Sequence, residues 1–163
     1  MIRAARVVYF TALGLWVGGM ATLAFVVAPT VFKSAARPVA GTIFGNVLRA
    51  FGPMQIALGI LAALAVGVLM KGGELRGRRG WVRLAILLVM LLIACNAQFL
   101  LGPAIEHERA SIPNFDSIPA GVPAKARFDS LHAWSVRLAS ISLLGGLGLL
   151  AWSAATVKPS DGP

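Results

Sequence analysis

The sequence predicts an all-α fold, an integral membrane four-helix bundle with an amphipathic helical segment before its second span. Three observations predict it. Of 163 residues, 58% are hydrophobic and 13% charged, and the mean hydropathy is +0.80, whereas soluble domains carry about 25% charged residues. The apolar residues gather in four charge-free runs, Val7–Phe32, Ala50–Met70, Leu84–Ile105 and Leu138–Val157, of 26, 21, 22 and 20 residues. Each run reaches the roughly 20 residues that a helix needs to cross about 30 Å of hydrocarbon, and none alternates polar with apolar as barrel strands do. Helices satisfy their own backbone groups in lipid, so the runs read as four spanning helices. The same composition excludes a disordered chain, and the single cysteine, Cys95, excludes a disulfide scaffold. Residues 1–157 form one transmembrane domain and 158–163 a polar tail.

The first run comes after Arg3 and Arg6, and Thr22-Leu23-Ala24 resembles a cleavage site. The apolar stretch continues to Phe32, longer than a signal sequence needs, so it reads as a retained helix. Before the second run, Val39, Ile43, Phe44, Val47, Leu48 and Phe51 recur at helical spacing. Pro38 suits a first turn, and Pro53 bends or interrupts a helix that continues into the second span. This segment, 38–52, is either an interfacial helix or an outward extension of the second span. Gly14 and Gly18 in the first run, with Gly145, Gly146 and Gly148 in the fourth, are positions for close helix packing. Whether the chain also forms a homo-oligomer stays open.

The connection between the third and fourth runs, Gly102 to Asp129, carries Pro103, Pro113, Pro119 and Pro123. These prolines oppose a continuous helix and favour extended or turn structure. Entering the fourth run, Phe128, His132, Ser135, Ala139, Ser142 and Gly146 share one helix face. Polar groups near hydrocarbon are costly unless they face protein or water. This stripe is therefore expected to face the bundle, and the stripe of Trp134, Leu138, Ile141, Leu149 and Trp152 to face lipid.

With four spans, both termini and the 2–3 loop share a side, which holds eight of the fifteen Lys and Arg residues. Five of them crowd between Lys71 and Arg83, while Glu106, Glu108, Asp116 and Asp129 fall in the 3–4 connection. The bias places both termini in the cytoplasm, and in a bacterium the membrane is the plasma (inner) membrane. The +9 net charge does not indicate nucleic acid, because the cations flank apolar spans with no basic domain or interleaved aromatics. Membrane lipid is the expected partner of the basic loop.

Leu15-Trp16-Val17-Gly18-Gly19, Val27-Ala28-Pro29-Thr30-Val31-Phe32 and Phe44-Gly45-Asn46-Val47-Leu48-Arg49 are joined by the FxxLHxxS pattern at Phe128, Leu131, His132 and Ser135. Together they resemble the TMEM205-like (DUF4149) membrane proteins, with more distant similarity to CopD-type copper-resistance domains and HemJ-type protoporphyrinogen oxidases. The resemblance implies four spans and no settled activity.

Three functions compete. A non-enzymatic protein assisting transport of, or resistance to, a small solute or metal would use a polar face of Asp129, His132, Ser135, Gln98 and Arg49. Thr11, Thr22, Cys95 and Asn96 are further polar groups in the spans, all equally explained as interhelical hydrogen bonds. Arg49 is the expected partner of Asp129 or of a substrate anion. A copper or zinc site would draw on His132, His107 and Glu106, imidazole and carboxylate being suitable ligands, although no tight metal spacing is present. A haem-linked oxidoreductase finds two histidines where two bis-histidine sites need four, and Ser135 has no nucleophile elbow. No catalytic residue is assigned, and the cofactor is unknown.

Overall fold

The computed structural model describes residues 1–111 and 123–156, with the backbone alone at residue 124. All regular elements among them are helical: α1 (Ile2–Thr22), a π-turn (Leu23–Val27), α2 (Ala28–Ser34), α3 (Arg37–Lys71), α4 (Arg78–Asn96), a second π-turn (Ala97–Leu101), α5 (Gly102–Ala110) and α6 (Pro123–Thr156). Through the π-turns these join into four helices long and apolar enough to span a membrane, Ile2–Ser34, Arg37–Lys71, Arg78–Ala110 and Lys125–Thr156. The protein is a multi-pass integral membrane protein by this architecture. The polar tail and residues 112–122, with Pro113, Asp116 and Pro119, lie outside the described residues.

These helices have 33, 35, 33 and 32 residues, and each exceeds its apolar run. At about 1.5 Å per residue they are roughly 50 Å long, longer than the roughly 30 Å of hydrocarbon that a spanning helix crosses. Segment 38–52 is an extension of span 2, unbroken through Pro53. Nor does Pro103 end span 3. It falls in the first turn of α5, and the helix runs on to Ala110, because a proline there removes only an N–H that the preceding π-turn leaves free.

Both π-turns have the same cause. Ala28 N–H reaches back to Leu23 O, and Gly102 N–H to Ala97 O. Each of these residues precedes a proline, Pro29 or Pro103, whose ring collides with the carbonyl four residues earlier in an α-helix. Widening one turn relieves the collision. The local sequences correspond, Phe25-Val-Val-Ala-Pro29 and Phe99-Leu-Leu-Gly-Pro103, an internal repeat that reading for apolar runs passes over.

The spans pack in sequential order, α1 on α3, α3 on α4, α4 on α6, and α6 back on α1, as in an up-down bundle with short connections. The 2–3 turn is closed by Gly73 at φ 78°, with Glu74 and Leu75 N–H both bonded to Leu69 O. A left-handed glycine is the usual end of such a helix.

The core occupies the half of the bundle nearest this turn, here the 2–3 half. It contains Tyr9, Leu13 and Trp16 of α1, Ala62, Val66 and Leu69 of α3, Leu87 and Met90 of α4, and Leu149 of α6. In the opposite, 3–4 half, no described residue is buried after Val17 in span 1, after Ala94 in span 3, or before Ser142 in α6. In α3 only Ala40 and Gly52 are buried there.

Glycines fit this division. A Cβ on Gly59 would meet the Trp16 ring at 2.5 Å, and one on Gly146 would meet Val17 at 2.5 Å. Among the described residues, Gly14 and Gly18 have nothing within 4 Å of that position, and Gly145 makes only ordinary contacts at 3.8 Å with Ile86 and Met90. Within the described bundle, close approaches occur at Gly59 and at Gly146, the latter one of the expected glycines of the fourth run.

Candidate functional site

Most of the expected polar residues lie in the 3–4 half, where α3 and span 3 are joined by a polar clasp. Pro53 is its origin. Without an N–H, Pro53 leaves Arg49 O without the donor that a helix supplies from four residues on. Gln98 Nε2 donates to this carbonyl at 3.5 Å. Gly52 makes the approach possible, because a Cβ there would fall on the Gln98 amide, 2.6 Å from its Cδ. A neighbouring side chain thus serves the freed carbonyl, which is how membrane helices tolerate proline. Gln98 has a structural task.

Further toward the 3–4 end, the Arg49 guanidinium pairs with Glu106. Both side chains are more than half exposed, at 56% and 58%. Arg109 donates to Pro38 O and, at 2.8 Å, to Thr42 Oγ1. Its guanidinium lies over Gly41, 3.1 Å from where a Cβ would stand. The expected pairing of Arg49 with Asp129 is corrected: the carboxylate on Arg49 is Glu106 of α5, and not one from α6. Asp129 is exposed and belongs to no ion pair among the described residues.

His132 is also exposed. Its ring stacks on Phe128, one turn earlier, with centroids 6.0 Å apart and planes 3° from parallel. Ser135 is half-buried, and Ser142 is buried. The two stripes of α6 are therefore divided differently from expectation. Trp134 and Ile141 do face outward, at 53% and 56% exposure, but Leu149 is buried and Trp152 packs on the core. The reason is the neighbours: toward residue 150 α6 packs on α1 and α4, whereas toward residue 132 it packs, among the described residues, on α5 and the second π-turn.

His107 is exposed near the end of α5, with its carbonyl accepting from Ser111 N–H. Among the described residues, no three His, Cys, Asp or Glu side chains gather as a metal site. His132, His107 and Glu106 do not meet as a ligand set.

A second polar cluster stands at the 2–3 end, where the sequence singles out no site. The Tyr9 hydroxyl shares a buried 2.9 Å hydrogen bond with Ser153. Arg83, 5% exposed, donates to Thr156 Oγ1 at 2.6 Å and lies 4.8 Å from the Trp152 ring centroid. Arg6 pairs with Glu74 at 2.8 Å. The first two bind the end of α6 to α1 and α4, and the third ties α1 to the 2–3 turn. Arg83 stands just before the charge-free run in the sequence, where it looks like a topology signal and not a buried group.

With this geometry in place, residues 11–112 match the family described as a domain of unknown function, DUF4149. The match covers more than half of the chain. The protein belongs to the DUF4149 family. Comparison with curated proteins and with solved structures finds no match. The DUF4149 match includes the whole clasp from Pro38 to Arg109, and ends before the FxxLHxxS segment of α6.

Proposed function

We propose that this DUF4149 protein is a non-enzymatic membrane protein that admits a small, anion-bearing solute to the 3–4 half of its bundle, while the 2–3 half stays closed. The observation that carries this reading is the one-sided core. Tyr9, Trp16, Leu87 and Leu149 fill the 2–3 half, whereas Ser135, Gln98 and Arg49 occupy a half with almost no fully buried residue among those described. The net charge of this end is compatible with an anion, although the 2–3 end is more basic, at +6. Lys33, Arg37, Arg49, Arg109, Lys125, Arg127 and Arg137 face Glu106, Glu108, Asp116 and Asp129 in the sequence of this end, seven against four, or +3. Fields of one sign raise the local concentration of oppositely charged solutes.

The test is thiol accessibility in a Cys95→Ala background, with a membrane-impermeant maleimide applied from each side. Single cysteines replace Ser135, Gln98, Ser142 and Ser153. Ser135→Cys and Gln98→Cys are expected to react from the 3–4 side, with Ser142→Cys and Ser153→Cys inert from both. Protection of Ser135→Cys equal to that of Ser153→Cys would refute the proposal. Which side is cytoplasmic emerges from the same labelling, with both termini expected inside.

A further inference from the structure

Beyond the solute reading, the outer surface between span 3 and α6 carries a groove of about 670 Å³. Val89, Leu92, Asn96, Phe99, Leu100 and Leu138 line it. We propose that this groove holds one acyl chain of an anionic phospholipid from the leaflet at the 3–4 end, with the headgroup phosphate on Arg137.

Dimensions support a single acyl chain. The groove extends along span 3 from Val89 to Leu100, eleven residue steps or about 16 Å of helix at 1.5 Å per residue. Half of a 30 Å hydrocarbon layer is about 15 Å. Apart from Asn96 and Cys95 the lining is wholly apolar, as a hydrocarbon chain requires.

The mouth supports the headgroup. Arg137 immediately precedes the lining residue Leu138 and is the last charge before the fourth apolar run. Its guanidinium lies 5.5 Å from the ring centroid of Trp134, one turn nearer the 3–4 end. The Arg137 side chain therefore reaches away from the hydrocarbon toward the interface, as long cationic side chains do. Trp134, 53% exposed, stands one turn nearer the 3–4 end than Leu138, and indole rings commonly anchor in headgroups. A guanidinium held this way keeps hydrogen-bond donors for a phosphate, which it recognises in bidentate fashion. The net charge of the lipid then decides the preference: a zwitterionic headgroup brings its own cation to the same guanidinium and gains less.

Native mass spectrometry of the full chain in mild detergent, titrated separately with phosphatidylglycerol and phosphatidylcholine, tests the assignment. One phosphatidylglycerol per chain is expected, retained about fivefold more than phosphatidylcholine. Arg137→Ala is expected to abolish that preference, and Leu92→Trp, which fills the groove, to abolish retention of both lipids. Arg127→Ala, an exposed cation away from the groove, is expected to leave retention unchanged. Size-exclusion profiles matching wild type show that each variant is folded. Equal retention of the two lipids by wild type, or undiminished retention in folded Leu92→Trp, overturns the proposal. So does a wild-type dimer that Leu92→Trp converts to monomer, since a second copy would then be the occupant.

Discussion

Replacing Gly52 with Ala tests the logic by which span 2 passes through Pro53. The new methyl group would fall on the Gln98 amide, 2.6 Å from Cδ and 3.4 Å from Cγ. Because that amide is the far end of a flexible side chain, it swings aside, and the steric term is small. The larger cost comes from Arg49 O, which loses the Gln98 donor and has no N–H from Pro53 to replace it. A stranded polar group costs about 1–3 kcal/mol. Hydrogen bonds between membrane helices average about 0.6 kcal/mol, and the 3.5 Å length argues for the lower half of the range, about 1–2 kcal/mol. Pro53→Ala restores an N–H to that carbonyl, so in this background the Gly52→Ala penalty should fall below about 0.5 kcal/mol. Gln98→Ala should cost about the same as Gly52→Ala, and the double variant no more than either, as for two changes that remove one interaction. Unfolding by SDS titration in mixed micelles, read by pulse proteolysis, measures all five variants. A Gly52→Ala penalty that is equal with and without Pro53 would refute the reasoning.

The core supplies three further tests. Gly59→Ala places a methyl 2.5 and 2.9 Å from two Trp16 ring atoms and 3.0 Å from Leu91. It should cost about 1–3 kcal/mol by overpacking, and clearly less in a Trp16→Phe background, by the same unfolding assay. Ser142→Ala should be neutral or stabilising, because its buried hydroxyl has no partner, whereas Ser153→Ala should cost about 0.6 kcal/mol by removing the Tyr9 bond. Arg83→Met should be neutral or stabilising: Arg83 Nε is buried without a partner, and apolar replacement of buried charge often stabilises. A loss above about 2 kcal/mol in that variant would show that the guanidinium contributes more than its contacts with Thr156 and Trp152 indicate.

Four spans were legible in the sequence because a charge-free run of 20 or more residues has few alternatives in lipid. Their true lengths were not. Charged residues such as Arg6, Arg49, Glu106 and Arg137 end an apolar run without ending a helix, and outside the hydrocarbon a helix bears them freely. Pro53 and Pro103 looked like interruptions for a related reason. The means by which the helices continue come from elsewhere, from Gln98 across the interface and from a local π-turn, and neither is visible in a window centred on the proline. Of the polar candidates, Arg49, Gln98 and Glu106 do share an interface. The pairing was hidden because sidedness alone places Asp129 and Glu106 equally near Arg49. Only the order of packing, with α3 beside span 3, selects Glu106. Periodicity identified the face of α6 carrying Ser142 and Gly146, but burial along a single face changes where the number of neighbouring helices changes.

The π-turn at Ala97–Leu101 connects the clasp to Pro103. A π-turn holds one residue more than an α-turn, so it rotates everything beyond it by about 100° relative to an uninterrupted α-helix. Glu106 and Arg109 lie beyond, and their contacts with Arg49, Thr42 and Pro38 O exist at the rotated phase. Pro103→Ala removes the ring that forces the wider turn and returns an N–H for Phe99 O, which favours the α phase by about 1 kcal/mol. Opposing it is the clasp, whose exposed Arg49–Glu106 pair contributes about 0–1 kcal/mol and whose Arg109 bonds add a similar amount. The two sides nearly balance, so stability should change by less than about 1 kcal/mol while geometry changes substantially. Cysteines replacing Arg49 and Glu106 in a Cys95→Ala background report on that geometry. They should be joined by a short bifunctional crosslinker when Pro103 is present, and at least threefold less when it is Ala. Because Gln98 lies inside the π-turn, its contact with Gly52 should weaken as well, and Gly52→Ala should then cost less. Undiminished crosslinking in Pro103→Ala would mean that the packing of α5 on α6, and not the proline, sets the phase of α5. The matching Pro29 turn in span 1 would then need the same explanation.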